Sequence, residues 1–392
     1  MTSRLTIVLP LKGRPLFTLR FLWHANKVRL PYRFLIADGE VHPELARLLQ
    51  DSRKTFADLD LEYVRYSDDV NFTHYYAKMA DAFSRVSTPY VKIADNDDFL
   101  AAAGLECCMD FLDAHPDHVC CSGGIGGFSL RFRRQDAPAP VTGPLNKLAY
   151  RCGPHDRAMH LDSICATDRV LAGLRNTWNF YAVFRAPVLA LIWKELLEIN
   201  PTNLQLAERF IAMRALTLGK ARCESTFFSY WRQYWTSLQL HWTSSRSAAR
   251  QDFAHYLLRS RFTADVAEVL DRLSRSLAAI DGGDPEQIGD QLRDSLEDWL
   301  RALIRHDFGA YATLRRHLRA HAPWLVTWLK RRRRLSLVSE RRDIIAKLRK
   351  DGATPEYLAK FKGEFAHIED VLMGHEFRHF VRRHMPALLT PR

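Results

Sequence analysis

The acidic cluster Asp95-Asn96-Asp97-Asp98 follows directly on the apolar run Tyr90 to Ala94. Carboxylates placed at the end of a strand suit a hard divalent cation, which takes oxygen ligands and keeps phosphate oxygens in its remaining sites. The same residues would also serve as an acidic turn capping a helix that starts near Phe99. A further acid, Asp38, ends a second apolar run. Lys12 and Arg14 follow the first such run and, with Lys78, are cations able to face an anion; for Lys78 the alternative is a solvated helix face. Glu208, in Asn203-Leu204-Gln205-Leu206-Ala207-Glu208-Arg209-Phe210, reads by itself as a helix-surface glutamate paired with Arg209 or Lys220.

Other constellations carry less chemistry. The seven cysteines include two adjacent pairs but no CxxC spacing and no Cys/His grouping, so they read as reduced, mostly buried thiols. Ser122-Gly123-Gly124-Ile125-Gly126-Gly127 lacks the Gly-Lys-Ser/Thr ending of a phosphate loop and a following dinucleotide acid; its glycines are expected to permit tight turns or close approach of an acceptor. His155 and His160 lie after a Pro- and Ala-rich excursion over residues 135–144 and read as surface histidines.

Strands and helices must alternate to bring these residues together. Leu5 to Leu11 is a near-continuous apolar run, Phe17 to Lys27 has helical character, and Arg33 to Ala37 is the next strand. Leu61 to Tyr66 is expected as a third strand, Thr73 to Val86 as a helix broken by Pro89, and Tyr90 to Ala94 as a buried strand. Such alternation predicts a largely parallel sheet with helices on both faces and ligands beyond the strands' carboxyl ends, where Asp38 and Asp95 fall. Helical pattern resumes at about Pro187. From about Ser247 the chain reads as helical, with one stripe on Val266, Val269, Leu270, Leu273 and Leu277 and another on Tyr357, Phe361, Phe365, Ile368 and Leu372.

In order and spacing, Ile7-Val8-Leu9-Pro10 with Arg14, Phe34-Leu35-Ile36-Ala37-Asp38-Gly39, Ala77-Lys78-Met79-Ala80-Asp81-Ala82 and Tyr90 to Asp98 together resemble family-2-like bacterial glycosyltransferases of the GT-A fold. The likeness covers roughly residues 4 to 235. It implies an α/β fold, a Rossmann-like and mostly parallel sheet flanked by helices, followed by an all-α C-terminal domain. The expected division is 1–245 for the nucleotide-sugar-binding catalytic domain and 246–392 for a helical, basic domain.

By that resemblance the loop from Pro10 through Lys12 to Arg14 lines the nucleotide and Asp38 contacts the base. Lys78 stands where the family often has a diphosphate-facing Arg, Asp95 contacts the ribose and shares the metal, and Asp97 binds the metal. Glu208 removes the acceptor proton, and Trp178-Asn179-Phe180-Tyr181-Ala182-Val183-Phe184-Arg185 resembles an aromatic strand near the acceptor pocket, or is ordinary core. A metal ligand or lid at the place of His155 and His160 is likewise what the resemblance implies. The chain departs from the family where Phe72 replaces a Gly after Asn71 and where Lys78 replaces Arg, giving a point charge without a bidentate fork.

The implied activity is metal-dependent, inverting transfer of a sugar from a nucleoside-diphosphate sugar to a glycan, lipid-linked glycan or other hydroxyl acceptor in surface polysaccharide synthesis, with Mg²⁺ or Mn²⁺ as cofactor. Sugar-nucleotide synthesis on a similar fold calls for a Gly-rich loop after the first strand, where only Gly13 is found. A basic nucleic-acid-binding protein is the other alternative, from a formal charge of +12 and the run Lys330-Arg331-Arg332-Arg333-Arg334. The acidic cluster opposes it, and nucleic acid is not an expected partner.

The best membrane-span candidate, Tyr181 to Ile199, is interrupted by Arg185, Lys194 and Glu195, so no span is expected. The expected location is cytoplasmic. Pro323-Trp324-Leu325-Val326-Thr327-Trp328-Leu329 followed by the basic run is expected to grip an anionic membrane, unless Trp324 and Trp328 pack into a core. The helical part also offers a homodimer face.

Overall fold

The computed structural model describes residues 3–39, 42–66, 69–131, 147–152, 159–174, 178–233, 260–308, 321 and 341–389. The elements begin β1 (Leu5–Leu11), α1 (Pro15–Lys27), β2 (Arg33–Asp38), α2 (Pro43–Gln50), α3 (Ser52–Thr55), β3 (Asp60–Arg65), α4 (Phe72–Ser84) and β4 (Tyr90–Ile93). There follow β5 (Phe99–Leu100), α5 (Ala102–Ala114), β6 (His118–Arg131), β7 (Lys147–Cys152), β8 (Met159–Leu161) and α6 (Ala166–Gly173). A 3₁₀ turn (Trp178–Tyr181) leads into β9 (Val183–Arg185), α7 (Ala186–Ile199), α8 (Leu204–Leu218) and β10 (Lys220–Gln233). Among the described residues all later elements are helical: α9 (Ser260–Asp281), α10 (Pro285–Phe308), α11 (Arg341–Lys350), α12 (Pro355–Met373), α13 (Glu376–His384) and a final 3₁₀ turn (Pro386–Leu389).

Among the described residues one sheet holds ten strands, in the order β3-β2-β1-β4-β9-β6-β10-β5, with β7 paired to β6 and β8 to β10. Strands β3, β2, β1 and β4 run parallel, as do β6 and β10, while β9 is antiparallel to both β4 and β6. The expected α/β sheet followed by an all-helical segment is therefore present. β1 is an apolar run because helices cover both its faces: Leu5, Ile7 and Leu9 enter one core and Val8 the other.

The first core packs α1 and α5 against the sheet, the second α4, α6, α7 and α8. The C-terminal helices add to both. Val269, Leu270, Leu273 and Leu277 of α9 join the second core, and Tyr357, Phe361, Phe365, Ile368 and Leu372 of α12 join the first, so both apolar stripes are buried as expected.

Two local expectations change. Residues 178–185 form a 3₁₀ turn and a three-residue strand in place of one aromatic strand. The glycines at 123, 124 and 126 lie inside β6, not in turns, and side chains there would collide with Phe227, Phe228 and Trp231 of β10. Their missing side chains make room for those aromatic rings. The 135–144 excursion, His155, Pro323 to Leu329 and Lys330 to Arg334 lie outside the described residues. Among the described residues, no helix is long and apolar enough to cross a membrane.

Candidate active site

Strand β4 ends at Ile93, and the chain turns sharply through the acidic cluster before β5. The turn gathers Asp95, Asp97 and Asp98 so that one carboxylate oxygen from each lies within 4.8 Å of the others. Asp97 and Asp98 are buried and Asp95 is half-buried. Burial, then the charge of Asp95, raises the proton affinity of Asp97; burial, then Asp97 and Asp95, raises that of Asp98 well above the usual carboxylate range. Three acids so close resist joint ionisation unless a cation joins them.

Residues from distant segments fix the turn. The Tyr181 hydroxyl donates to Asp95 Oδ2 at 2.7 Å, and the Asp95 amide donates to the Tyr230 hydroxyl at 3.1 Å. The two rings stack with centroids 5.1 Å apart. Asn96 donates to Thr18 Oγ1 of α1 at 3.0 Å, and the Gln233 amide donates to Asp98 Oδ1 at 2.6 Å. Fully buried Arg20 donates to the Asp97 carbonyl at 2.6 Å and to Gln233 Oε1 at 2.8 Å, with its guanidinium 5.0 Å from the ring centres of Phe17 and Phe99. Desolvation lowers its proton affinity to about 10, which leaves it charged at neutral pH.

The loop after β1 reaches the same place. Gly13 and Arg14 adopt left-handed backbone conformations, with φ of 67° and 57°, costly for Arg14, and Pro15 starts α1. This reversal carries Arg14 Nη1 to 3.2 Å from Asp97 Oδ2. Pro10 is half-buried within β1, and Lys12 donates to the Asp69 carbonyl.

Asp38, at the end of β2, is buried and accepts from the Tyr63 hydroxyl at 2.8 Å. Lys78, on α4, is buried in an ion pair with Asp69 Oδ2 and donates to the Leu11 carbonyl at 3.2 Å. Lys78 is therefore not a solvated helix cation. Burial lowers its proton affinity, against the pull of Asp69.

Glu208 lies on α8, whose N-terminus is capped by the Asn203 side chain. Neither expected surface partner holds it: Arg209 donates to the Leu174 carbonyl at 2.6 Å and lies 3.3 Å from the Trp299 ring centre, while Lys220 pairs with Asp117 at 2.7 Å. Burial first, then the charge of Asp95, pushes the Glu208 carboxyl up to about 7, against the opposing charges of Arg232 and Arg209. Asp95 and Glu208 also raise the proton affinity of the Tyr75 phenol, which burial dominates. Glu208, Asp95, Tyr75 and Arg232 thus share one electrostatic environment. A carboxyl with a pKa near neutrality is poised for proton transfer.

Two residues of the resembling segments to which the sequence assigned no role, Lys92 and Arg232, also lie beside the cluster. Lys92 of β4 is fully buried, donates to the Tyr181 carbonyl and sits 4.6 Å from the Tyr230 ring centre; burial lowers it to about 7. Arg232 lies 5.6 Å from the Tyr181 ring centre. The sequence signals for Arg232 are the segment Ser229-Tyr230-Trp231-Arg232-Gln233, which continues the resemblance, and alternation in β10, which puts Tyr230 and Arg232 on one face. His160 is exposed on β8, opposite Arg222, and lies outside the carboxylate cluster.

The donor set fits a divalent cation: hard oxygens only, clustered, and two of them in desolvated positions that favour charge neutralisation.

No protein-family model matches the chain, and no curated protein matches it. Among solved structures it resembles residues 1–349 of S. aureus TarS, at 11% identity and a TM-score of 0.47, covering 97% of this chain and 92% of that one. The same TarS fragment in complex with UDP-GlcNAc gives 10% identity and a TM-score of 0.45, with coverage of 97% and 92%. A mannosyltransferase from Pyrobaculum calidifontis, in complex with GDP-Man and Mn²⁺, gives 14% and 0.36, with 93% and 87% covered. The chemistry of the site rests on this chain's own residues.

Proposed function

We propose that the chain is a glycosyltransferase that moves a sugar from a nucleoside-diphosphate sugar to a hydroxyl acceptor, with Glu208 as general base. The observation that carries this reading is the placement of Glu208, at a pKa of about 7, in the electrostatic field of a three-carboxylate cluster at the end of a parallel strand. Open α/β sheets bind ligands at that edge.

In this reading Asp38 faces the base, the loop from Pro10 to Arg14 lines the nucleotide, and Asp95 meets the ribose. Mg²⁺ or Mn²⁺, held by Asp95 and Asp97, would supply positive charge at the diphosphate. Glu208 accepts the proton of the acceptor hydroxyl as its oxygen bonds to the anomeric carbon. The bond from that carbon to the diphosphate oxygen breaks, and the electron pair leaves with the diphosphate. Attack from the opposite side inverts the anomeric centre, as the sequence resemblance implies.

The acceptor we favour is a glycan or lipid-linked glycan, in surface polysaccharide synthesis on the cytoplasmic side of the membrane, with the basic C-terminal part as the membrane contact. The test is a panel of nucleotide sugars with and without Mn²⁺ or Mg²⁺, scored by release of nucleoside diphosphate. Turnover with at least one donor, lost in EDTA and in Asp97→Ala with the fold intact, is expected. Undiminished turnover by Asp97→Ala would remove the metal assignment, and no turnover with any donor would remove the reading.

A further inference from the structure

The acidic cluster is ringed by cations, and most are engaged. Arg14 is on the Asp97 carboxylate, Arg20 on the Asp97 carbonyl and Gln233, and Lys92 on the Tyr181 carbonyl. Lys78, at the position where the sequence resemblance expects a diphosphate-facing charge, is ion-paired with Asp69 and bound to the Leu11 carbonyl, with 2% of its side chain exposed.

Arg232 differs. Among the described residues its guanidinium makes no hydrogen bond and no ion pair; its contact is with the face of Tyr181. Tyr181 in turn stacks on Tyr230 and bonds Asp95, so the half-buried guanidinium is braced beside the cluster without being neutralised there. Burial would lower its proton affinity, but Tyr181, Asp98, Tyr230 and Asp95 together raise it, and the charge persists. A guanidinium carries five N–H donors in a planar fork, matched to phosphate oxygens, and withdrawing it from water without acceptors is costly.

We propose that Arg232 binds the diphosphate of the donor and remains on it as it departs, in place of the cation expected at position 78. This rests on the glycosyl-transfer reading. Breaking the anomeric carbon to oxygen bond leaves one further negative charge on the diphosphate, and the Arg232 donors strengthen their bonds to it as that charge develops. The Tyr181 ring, 5.6 Å from the guanidinium carbon, keeps the charge in place through the step.

The test is calorimetric titration of UDP, GDP, ADP and dTDP, each beside its nucleoside, in saturating Mn²⁺ with wild type, Arg232→Gln and Arg232→Lys. Wild type is expected to prefer one diphosphate strongly over its nucleoside. Arg232→Gln should weaken that diphosphate by roughly 10- to 100-fold and leave the nucleoside unchanged, with Arg232→Lys between the two. Equal diphosphate affinity in wild type and both variants would overturn the assignment. An effect confined to acceptor KM would also overturn it, giving Arg232 to the acceptor. If wild type binds none of the diphosphates, the glycosyl-transfer reading falls first. Should Arg232→Gln melt early, the Lys variant alone decides, because it keeps the charge and loses the fork.

Discussion

At the scale of single residues, the acids of the strand end are held by side chains from distant segments, Asp95 by the hydroxyls of Tyr181 and Tyr230. Asp38, Asp95 and Asp97 could be placed because each follows an apolar run, and strand ends are where open sheets bind ligands. The partners of Asp95 are Tyr181 and Tyr230, far along the chain, and no local pattern announces them. Lys78 shows the opposite case, since its position in a motif said nothing of Asp69, nine residues earlier. Lys78→Met should therefore act as a core lesion: it leaves Asp69 buried without its counter-ion, at a cost of about 3–5 kcal/mol, read as a lower denaturation midpoint. Undiminished stability with weaker diphosphate binding would return Lys78 to the donor. For Glu208, a folded pKa of about 7 means that the basic form gains ground as pH rises, so kcat/KM should climb through that region. Because Asp95 contributes to the upward shift, saturating Mn²⁺ should move the rising limb to lower pH. Glu208→Gln should keep donor affinity and lower kcat by on the order of a hundredfold. A flat profile, or collapse of donor binding, would move the base elsewhere.

At the scale of elements, β10 and the caps depend on side chains contributed from far away. β10 changes register against β6 at Phe228, and a side chain at Gly104 of α5 would strike the Phe228 carbonyl. The Tyr357 hydroxyl of α12 accepts from the Phe228 amide at 2.8 Å and lies 3.3 Å from its carbonyl. Tyr357→Phe should leave that amide buried without a partner, costing about 1–3 kcal/mol, while Tyr357→Leu should cost more through lost packing; an unchanged midpoint in Tyr357→Phe would show that water replaces the hydroxyl. Helix α6 lacks a cap of its own, and Asp281 of α9 supplies one, accepting from the amides of Ala166 at 2.8 Å and Thr167 at 2.7 Å. Burial would raise the Asp281 pKa, but these bonds outweigh it and bring the carboxyl to about 2. A depressed carboxyl contributes stability above its unfolded pKa of about 3.9 and loses it as pH falls toward 2. Asp281→Ala should cost about 0.5–2 kcal/mol at neutral pH, and the difference from wild type should shrink below pH 4. A difference that persists at pH 2 would point to packing instead. Periodicity revealed α9 and α12 as amphipathic helices, but a period gives the face that is buried and not the element that buries it.

At the scale of the whole molecule, the helices after β10 supply side chains to both cores of the sheet. α9 and α10 cover the layer of α6 and α8, while α11, α12 and α13 cover the layer of α1 and α5. Trp231 of β10 lies 4.9 Å from the ring of Phe365 and 5.8 Å from that of Phe361, and it immediately precedes Arg232. The strand end that carries Arg232 to the acidic cluster is thus packed, on the opposite face, through Trp231 against α12. Burying a large apolar side chain contributes about 1.5–3 kcal/mol, so Tyr357, Phe361, Phe365, Ile368 and Leu372 together contribute on the order of 10 kcal/mol as an upper estimate. That equals the whole net stability of a typical domain. The full chain should therefore unfold in urea as one transition, with near- and far-ultraviolet circular dichroism coincident. A chain ending at residue 340 should lose that cooperative transition and bind hydrophobic dye, with nucleotide affinity lost alongside. If instead the shortened chain keeps the full-length midpoint and its nucleotide affinity, the C-terminal helices are an independent unit and the end of β10 holds its shape without them.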